Sequence, residues 1–221
     1  MFNSNKCLIL RPQLKRMSTD KKQNIIDTAI TLFAKKGFEG TSIRDLAAAA
    51  GVNVAMINYY FGSKEKLFES LLEYKASYTR DVLGELEKDK TLSCIEKIDR
   101  LIEMQVNKLF SNRHFHKVLH HELTLNQRED LGIAIVHIFS ENVKIVMSII
   151  EAGMKKKEFK KVDPALTVAS LYGTINQIVL SKRMCCMLLQ KEQGFDPYSD
   201  EKFKQKVIEH LKQLMHAHLL K

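Results

Sequence analysis

The sequence predicts an all-α protein on three observations: sparse helix breakers, apolar residues recurring every three to four positions, and a lack of strand-like alternation. Only three prolines (Pro12, Pro164, Pro197) and nine glycines interrupt the 221 residues. Proline removes a helix N–H and glycine loosens the backbone, so their scarcity leaves room for long helices. Hydrophobic residues at 45% and charged residues at 28% give the balance of a globular chain rather than a disordered one.

The elements follow in order. Residues 1–17 read as a disordered basic tail, with Met17 as an alternative start. A first helix is expected after Ser18-Thr19-Asp20, capped by Asp20 with Gln23 completing a capping box. Ile25, Ile26, Ala29, Leu32 and Phe33 form its apolar face, Lys35 and Lys36 complement its dipole, and Gly37 stops it. Thr41-Ser42 opens a short second helix, with Ile43, Leu46, Ala47 and Ala50 inward and Gly51 at its end. Asn53 caps a third, Val54 to Phe61, closed by Gly62. Ser63 caps a fourth that runs from Lys64 towards Leu86. Five more helices are expected at about 92–110, 113–125, 127–157, 163–190 and 200–220, with Asp163-Pro164 a good opening and Gly194 to Pro197 a loop.

Charge divides the chain. Residues 1–68 hold 11 Lys/Arg against 5 Asp/Glu, while the remaining 153 hold 24 against 21. A basic first third suits a polyanion such as DNA, although a solubilising surface bias has the same signature. Cysteines 7, 94, 185 and 186 form no CxxC pair and read as small buried hydrophobes in a reducing cytoplasm. No uninterrupted apolar run approaches the ~18 residues of a membrane span, and Cys7 to Leu10 is too short for a signal-peptide core. No membrane partner is expected.

Ile43 to Phe61 forms a unit: a short helix, a tight turn, and a second short helix. Ala47 is small where the two would cross, and Gly51 accepts the positive φ of a three- to four-residue turn. Ile57 and Phe61 pack inward, leaving Asn53, Ala55, Asn58 and Tyr59 where a recognition helix meets base edges in a major groove ~12 Å wide. Spacing alone also fits an ordinary helical hairpin.

A longer string decides between them. Ala29, Leu32-Phe33, Gly37-Phe38, Thr41 to Ala47, Gly51-Val52-Asn53 and Ile57 to Glu65 closely resemble the TetR/AcrR family of bacterial regulators over about a fifth of the chain. Where that family often has Tyr-x-His-Phe, this chain has Asn58-Tyr59-Tyr60-Phe61. The resemblance implies a homodimer with a helix-turn-helix head over residues 18–65 and a ligand-sensing and dimerisation body over 66–221. Its partners would be double-stranded operator DNA and a small-molecule effector. It implies Thr41, Ser42, Tyr59 and Lys64 as phosphate contacts, and Arg44, Asn53, Val54, Ala55 and Asn58 as base readers. The chemistry agrees: hydroxyls and a helix-start lysine suit phosphate, arginine bridges guanine, and asparagine bridges adenine. Thr41 and Ser42 would also cap a helix, Lys64 would also serve as a solvated cation, and Tyr60 reads as packing.

His114, His116, His120, His121 and Glu122 invite a metal reading, since His116 and His120 lie four apart. No HExxH or Cys pattern completes a site, so a surface or pocket-lining cluster is expected and no metal. His216 and His218 read as incidental. No phosphate loop or nucleophile elbow occurs, so neither an enzyme nor a cofactor is expected. The rival reading is a helical ligand-binding protein without DNA contact. Met104, Phe110, Phe115, Phe139, Met147 and Tyr172, with Asn176 and Gln177 as polar handles, are the residues available to an effector pocket. The last two helices are expected to form the dimer, through Val168, Leu171, Ile175, Ile178 and Val179 on one and Phe203, Val207, Leu211 and Leu214 on the other.

Overall fold

A computed structural model describes the backbone of residues 6–125, 128–191 and 194–221, with side chains from residue 20 onward apart from 125 and 179. Its helices are α1 (Lys6–Lys36), α2 (Ile43–Ala50), α3 (Val54–Phe61), α4 (Lys64–Lys88) and α5 (Cys94–Ser111), then α6 (Arg113–Leu125), α7 (Glu129–Lys155), α8 (Pro164–Leu180), α9 (Lys182–Leu188) and α10 (Glu201–Leu219). No strand occurs among the described residues.

Two boundaries differ from expectation. α1 starts at Lys6, so the stretch 6–17 is helical and Asp20 lies inside a helix instead of capping one. The Gln23 amide donates at 3.0 Å to the Asp27 carboxylate rather than closing a capping box. No glycine interrupts Lys6 to Lys36, and the Leu, Lys, Arg and Gln of that stretch are strong helix formers. Pro12 removes one hydrogen bond without ending the helix. Residues 1–5 of the expected tail lie outside the described residues. The second difference is at Ser181. The helix expected over 163–190 breaks there into α8 and α9, because Ser181 is extended (φ −121°, ψ 93°) and its Oγ accepts the Met184 N–H at 3.2 Å.

Two hydrophobic cores organise the molecule. The first joins α1, α2 and α3 around Phe33, Phe38 and Phe68, whose ring centroids lie 5.1–5.4 Å apart. It continues into Phe115 and Leu119 of α6 and Leu131 and Ile135 of α7. The boundary at 65/66 therefore falls inside one cluster. The second core packs α5, α7, α8 and α10 around Leu101, Ile102, Val146, Ile175 and Leu211. α4 packs along α7 and joins the two cores.

The dimer stripe read from the sequence is mostly spent inside the protomer. Val168, Leu171, Ile175, Phe203, Val207 and Leu211 are buried in the second core. Ile178 is partly buried against it, and the Val179 side chain lies outside the described residues. Among the described side chains of that stripe, only Leu214, 39% exposed, remains at the surface. The physical reason is that α10 has α5 within its own chain to cover its apolar face, as in the Phe110–Phe203 ring contact at 6.1 Å. His216 and His218 are not incidental either: they contact Asp99 and Thr167, each at 2.9 Å, tying α10 to α5 and α8.

α7 is the one described helix long and apolar enough to cross a membrane, with a window of mean hydropathy 1.7, which composition by short runs missed. It buries Leu131, Ile135, Val146, Ile149 and Ile150 in the protein and carries an exposed Glu141–Lys144 pair at 2.6 Å. Those features make it the central helix of the fold. At its end Gly153 admits the Phe159 ring, which lies 2.2 Å from where a Cβ would stand.

Candidate functional site

The head is assembled by caps. Ser42 starts α2: its Oγ accepts the Asp45 N–H at 3.1 Å, and the Asp45 carboxylate accepts the Ser42 N–H at 3.0 Å. Lys36 closes on Asp45 at 3.0 Å. These hydrogen bonds, those from Ser42 first, hold the exposed Asp45 carboxyl well below its usual range. Gly51 ends α2 in the left-handed region at φ 65°, and the following N–H groups return to Ala48 and Ala47. Asn53 starts α3, its Oδ1 accepting the Met56 N–H at 2.8 Å. From α1, the Asn24 amide reaches the Ala50 carbonyl at 2.9 Å and fixes the far end of α2.

This frame pushes Ile57 and Phe61 inward and presents Asn53, Val54, Ala55, Asn58 and Tyr59 to solvent, Tyr59 at 83% exposure. Arg44 is exposed on α2. All six of these expected DNA contacts are therefore exposed side chains, five of them at the start and along the outer side of α3. Asn53 spends its carbonyl on the cap and keeps its amide hydrogens.

Two expected phosphate contacts sit differently. Thr41 is fully buried, and its hydroxyl donates to the Gly37 carbonyl at 2.7 Å. It closes the α1–α2 turn and presents no side chain to DNA, because a threonine in that turn satisfies carbonyls left open at the end of α1. Lys64 is half-buried: its ammonium donates to the Phe38 carbonyl at 3.0 Å and lies 4.3 Å from the Phe38 ring centroid. It pins the turn to α4. Ser42 stays exposed, although its hydroxyl donates to Asp45 at 2.6 Å.

The body contains a cavity of about 570 Å³ between α4, α5, α6, α7 and α8. Of the residues named above as available to an effector pocket, Phe139, Tyr172 and Asn176 line it. Met104, Phe110, Phe115 and Met147 do not. Phe110 meets Tyr198 edge-on and Phe203 at a tilt in the body core, Phe115 contacts Phe68 in the head core, and both methionines pack on the body core. Gln177 lines a separate cavity beside Phe203 and His210. Of the histidine cluster, His116 and His120 line the larger cavity, and His114, His121 and Glu122 do not. Among the described residues no group of three His, Cys, Asp or Glu side chains is arranged to hold a metal.

Sequence reasoning missed the cavity's polar lining. Lys108 donates to Thr79 Oγ1 at 2.6 Å and Asn142 donates to the Ala76 carbonyl at 3.2 Å, both acceptors on α4. Burial first, then the neighbouring Lys75, lowers Lys108 to about 8. Burial chiefly, with the charges of Lys108 and Lys75, lowers His116 to about 3, so it is neutral. Tyr172 accepts the Gln105 amide at 2.9 Å and is pushed up to about 12 by burial. The signal was available in principle: Lys108 and Asn142 interrupt the apolar faces of α5 and α7 at core spacing.

Short α2 and α3 crossing at a glycine turn, with an exposed polar face on α3, define a helix-turn-helix DNA-binding protein. Residues 25–71 match the family model of bacterial regulatory proteins, tetR family, and residues 91–180 match a tetracyclin repressor-like C-terminal domain. The "Probable HTH-type transcriptional regulator YttP" of Bacillus subtilis is 32% identical over 144 residues, covering 65% of this chain and 69% of that protein. The HTH-type transcriptional repressor NicS of Pseudomonas putida is 29% identical over 189 residues, covering 79% and 85%. The solved FadR of Bacillus subtilis in complex with stearoyl-CoA superposes with a TM-score of 0.67 at 25% identity, covering 86% and 96%. The chain belongs to the TetR family of bacterial regulatory proteins and is a DNA-binding transcriptional regulator. The rival reading, a ligand-binding protein without DNA contact, falls with that assignment.

Proposed function

We propose that the protein is a homodimeric repressor that leaves its operator when a small molecule fills the body cavity. One observation carries the switch: the cavity's polar side chains hold α4. Lys108 bonds Thr79 and Asn142 bonds Ala76, and α4 begins at Lys64, which grips the head at Phe38. A ligand that draws on Lys108 or Asn142 therefore acts on the helix that carries the head. At ~1.5 Å per residue, α4 spans roughly 37 Å, long enough to turn a small tilt into a change in the separation of two α3 helices. Two-fold operators tolerate little such change, because each α3 must enter the groove a fixed number of helical turns from its partner.

The outward faces of α8 and α10 support the dimer. Leu166 at 67% exposure, Ala169 and Gly173 on α8 lie on the surface together with Leu214 and Ala217 on α10. Small residues there let two copies approach closely. Arg44, Asn53, Val54, Ala55 and Asn58 read bases, and Ser42, Tyr59 and the remaining N–H groups of Lys64 meet phosphates, in the compartment that holds the DNA. No step of this scheme is enzymatic.

Moving the equilibrium from 1:99 to 99:1 needs ~5.5 kcal/mol of preference for the released form. Linkage requires operator DNA to weaken effector binding by the same factor. Titration of a releasing compound into the protein with and without operator tests this. Weaker binding in the presence of operator is expected, and equal affinities would contradict the scheme.

A further inference from the structure

We infer that the α4–α8 cavity takes a medium-chain aliphatic carboxylate, its head on Lys108 and its chain against Leu123, Ile135, Val136 and Phe139. The inference rests on reading this cavity as the effector site and names the effector's class.

Charge is the first argument. Lys108 is half-buried, and its ammonium donates to a neutral hydroxyl. A buried ammonium without an anion is costly, and a ligand carboxylate repays that cost through a charge-assisted hydrogen bond. No Asp or Glu is among the residues lining the cavity. The acids on its flanks are engaged elsewhere: Glu122 with Arg128 and Glu141 with Lys144. On α4 the second cation, Lys75, lies 4.9 Å from the Phe115 ring, with Asp27 of α1 near it. Among the described lining residues the cations are Lys108 and Lys144, and with Lys144 paired to Glu141 the ammonium of Lys108 has no carboxylate of its own.

Unspent hydrogen-bonding capacity is the second. His116 Nε2 is buried without a partner, and in the Nε2–H tautomer it donates to the second carboxylate oxygen. Asn142 Oδ1 is likewise unpartnered and accepts from a water that hydrates the head. The lining holds no arginine, so the fork that favours phosphate is missing and a monoanion fits better.

The walls and size are the third. Ile135 is buried, and Leu123 and Val136, 38% and 63% exposed, add further apolar wall to the same cavity. A volume of about 570 Å³ is far larger than a two- or three-carbon acid requires and lies in the range of small-molecule sites.

The test is calorimetry on the full chain with decanoate, decan-1-ol and decyl phosphate. Decanoate is expected to bind at least tenfold more tightly than the alcohol and more tightly than the phosphate. Lys108→Met should bring decanoate down to the level of the alcohol, and Lys108→Arg should restore part of the difference. Titration at pH 8 in buffers of different ionisation enthalpy adds a readout that a merely structural lysine would not move. Lys108, about half charged there, becomes fully charged beside the carboxylate, so about half a proton is taken up per site. The other groups facing it are Lys75 on α4, His116 and His120 on α6, Lys144 with Glu141 on α7, and Tyr172 on α8. Equal affinity for acid and alcohol, or an unchanged preference in Lys108→Met, would overturn the inference. Release of operator by a neutral compound, with decanoate failing to bind, would overturn the carboxylate while leaving the effector reading intact.

Discussion

Arg128 pairs with Glu39: a residue in the turn before α7, in the body, reaches one in the turn after α1, in the head. The same guanidinium lies 4.6 Å from the Phe38 ring and 2.6 Å from a carboxylate oxygen of the buried Glu122. Phe38 thus has a cation from α4 and a cation from the body against its ring, Lys64 and Arg128.

The two acids predict different costs. Glu39 is 60% exposed and Glu122 only 5% at their side chains. Glu39→Gln should change stability by less than about 1 kcal/mol, as exposed pairs do. Arg128→Met strands the buried Glu122 and should cost about 2–4 kcal/mol, most of it recovered in Arg128→Met/Glu122→Gln. Denaturant melts of the parent, Glu39→Gln, Arg128→Met, Glu122→Gln and the double variant measure this. An additive double variant would contradict the pairing.

Asn53 has two separable jobs. Asn53→Ser keeps a capping oxygen for Met56 and removes the amide hydrogens. It should melt near the parent while relaxing preference at one base pair by roughly 1–3 kcal/mol. Asn53→Ala should lose both, with about 1 kcal/mol of helix stability. Arg44→Ala should relax preference at another position, whereas Tyr59→Ala should weaken binding to all sequences alike. Binding to single-substitution operator series separates the cases.

The helix-turn-helix was legible because its parts are local. Ser42, Gly51, Asn53, Gly62 and Ser63 each mark a boundary by a cap or a turn, and a cap needs only its own next three residues. What escaped was non-local. The apolar faces of α8 and α10 were visible, but whether Val168 and Leu211 meet a partner chain or α5 depends on the whole packing. Lys108 and Asn142 each interrupt an apolar face, but nothing local joins them into one site, because they lie on different helices and meet through α4. Thr41 looked like a surface hydroxyl, since nothing in its neighbours reveals that α1 ends with a carbonyl facing it.

Lys108 also makes stability depend on pH. Its folded pKa of about 8 lies below the ordinary value of 10.5, so above pH 8 the unfolded chain binds more protons than the folded one. The contribution of this group therefore rises with pH between about 8 and 10.5. Lys108→Met should be more stable than the parent at pH 7 and should lose that rise. Thermal melts from pH 7 to 10 check both, and a parallel rise in the variant would contradict the assignment.

Gly153→Ala should destabilise the body by about 1–3 kcal/mol, since its methyl would strike the Phe159 ring. Adding Phe159→Leu, which shortens the obstructing side chain, should make the two changes less than additive. Additive losses would show that the contact is not the cause.

The proposed dimer face predicts that Leu166→Glu yields a folded monomer, because Leu166 lies outside the protomer's own core. Sedimentation at micromolar concentration, with helical content unchanged, is the expected result. A dimer would move the interface elsewhere.

Selection of bound DNA from a random pool, with the parent and Asn58→Ala run side by side, tests the central claim most directly. The parent should enrich one two-fold symmetric sequence whose half-sites lie one or more helical turns apart, and Asn58→Ala should lose preference at symmetric positions within both half-sites. A pool that remains unenriched after repeated rounds, or identical operators from both proteins, would contradict the assignment of α3 as the reading helix.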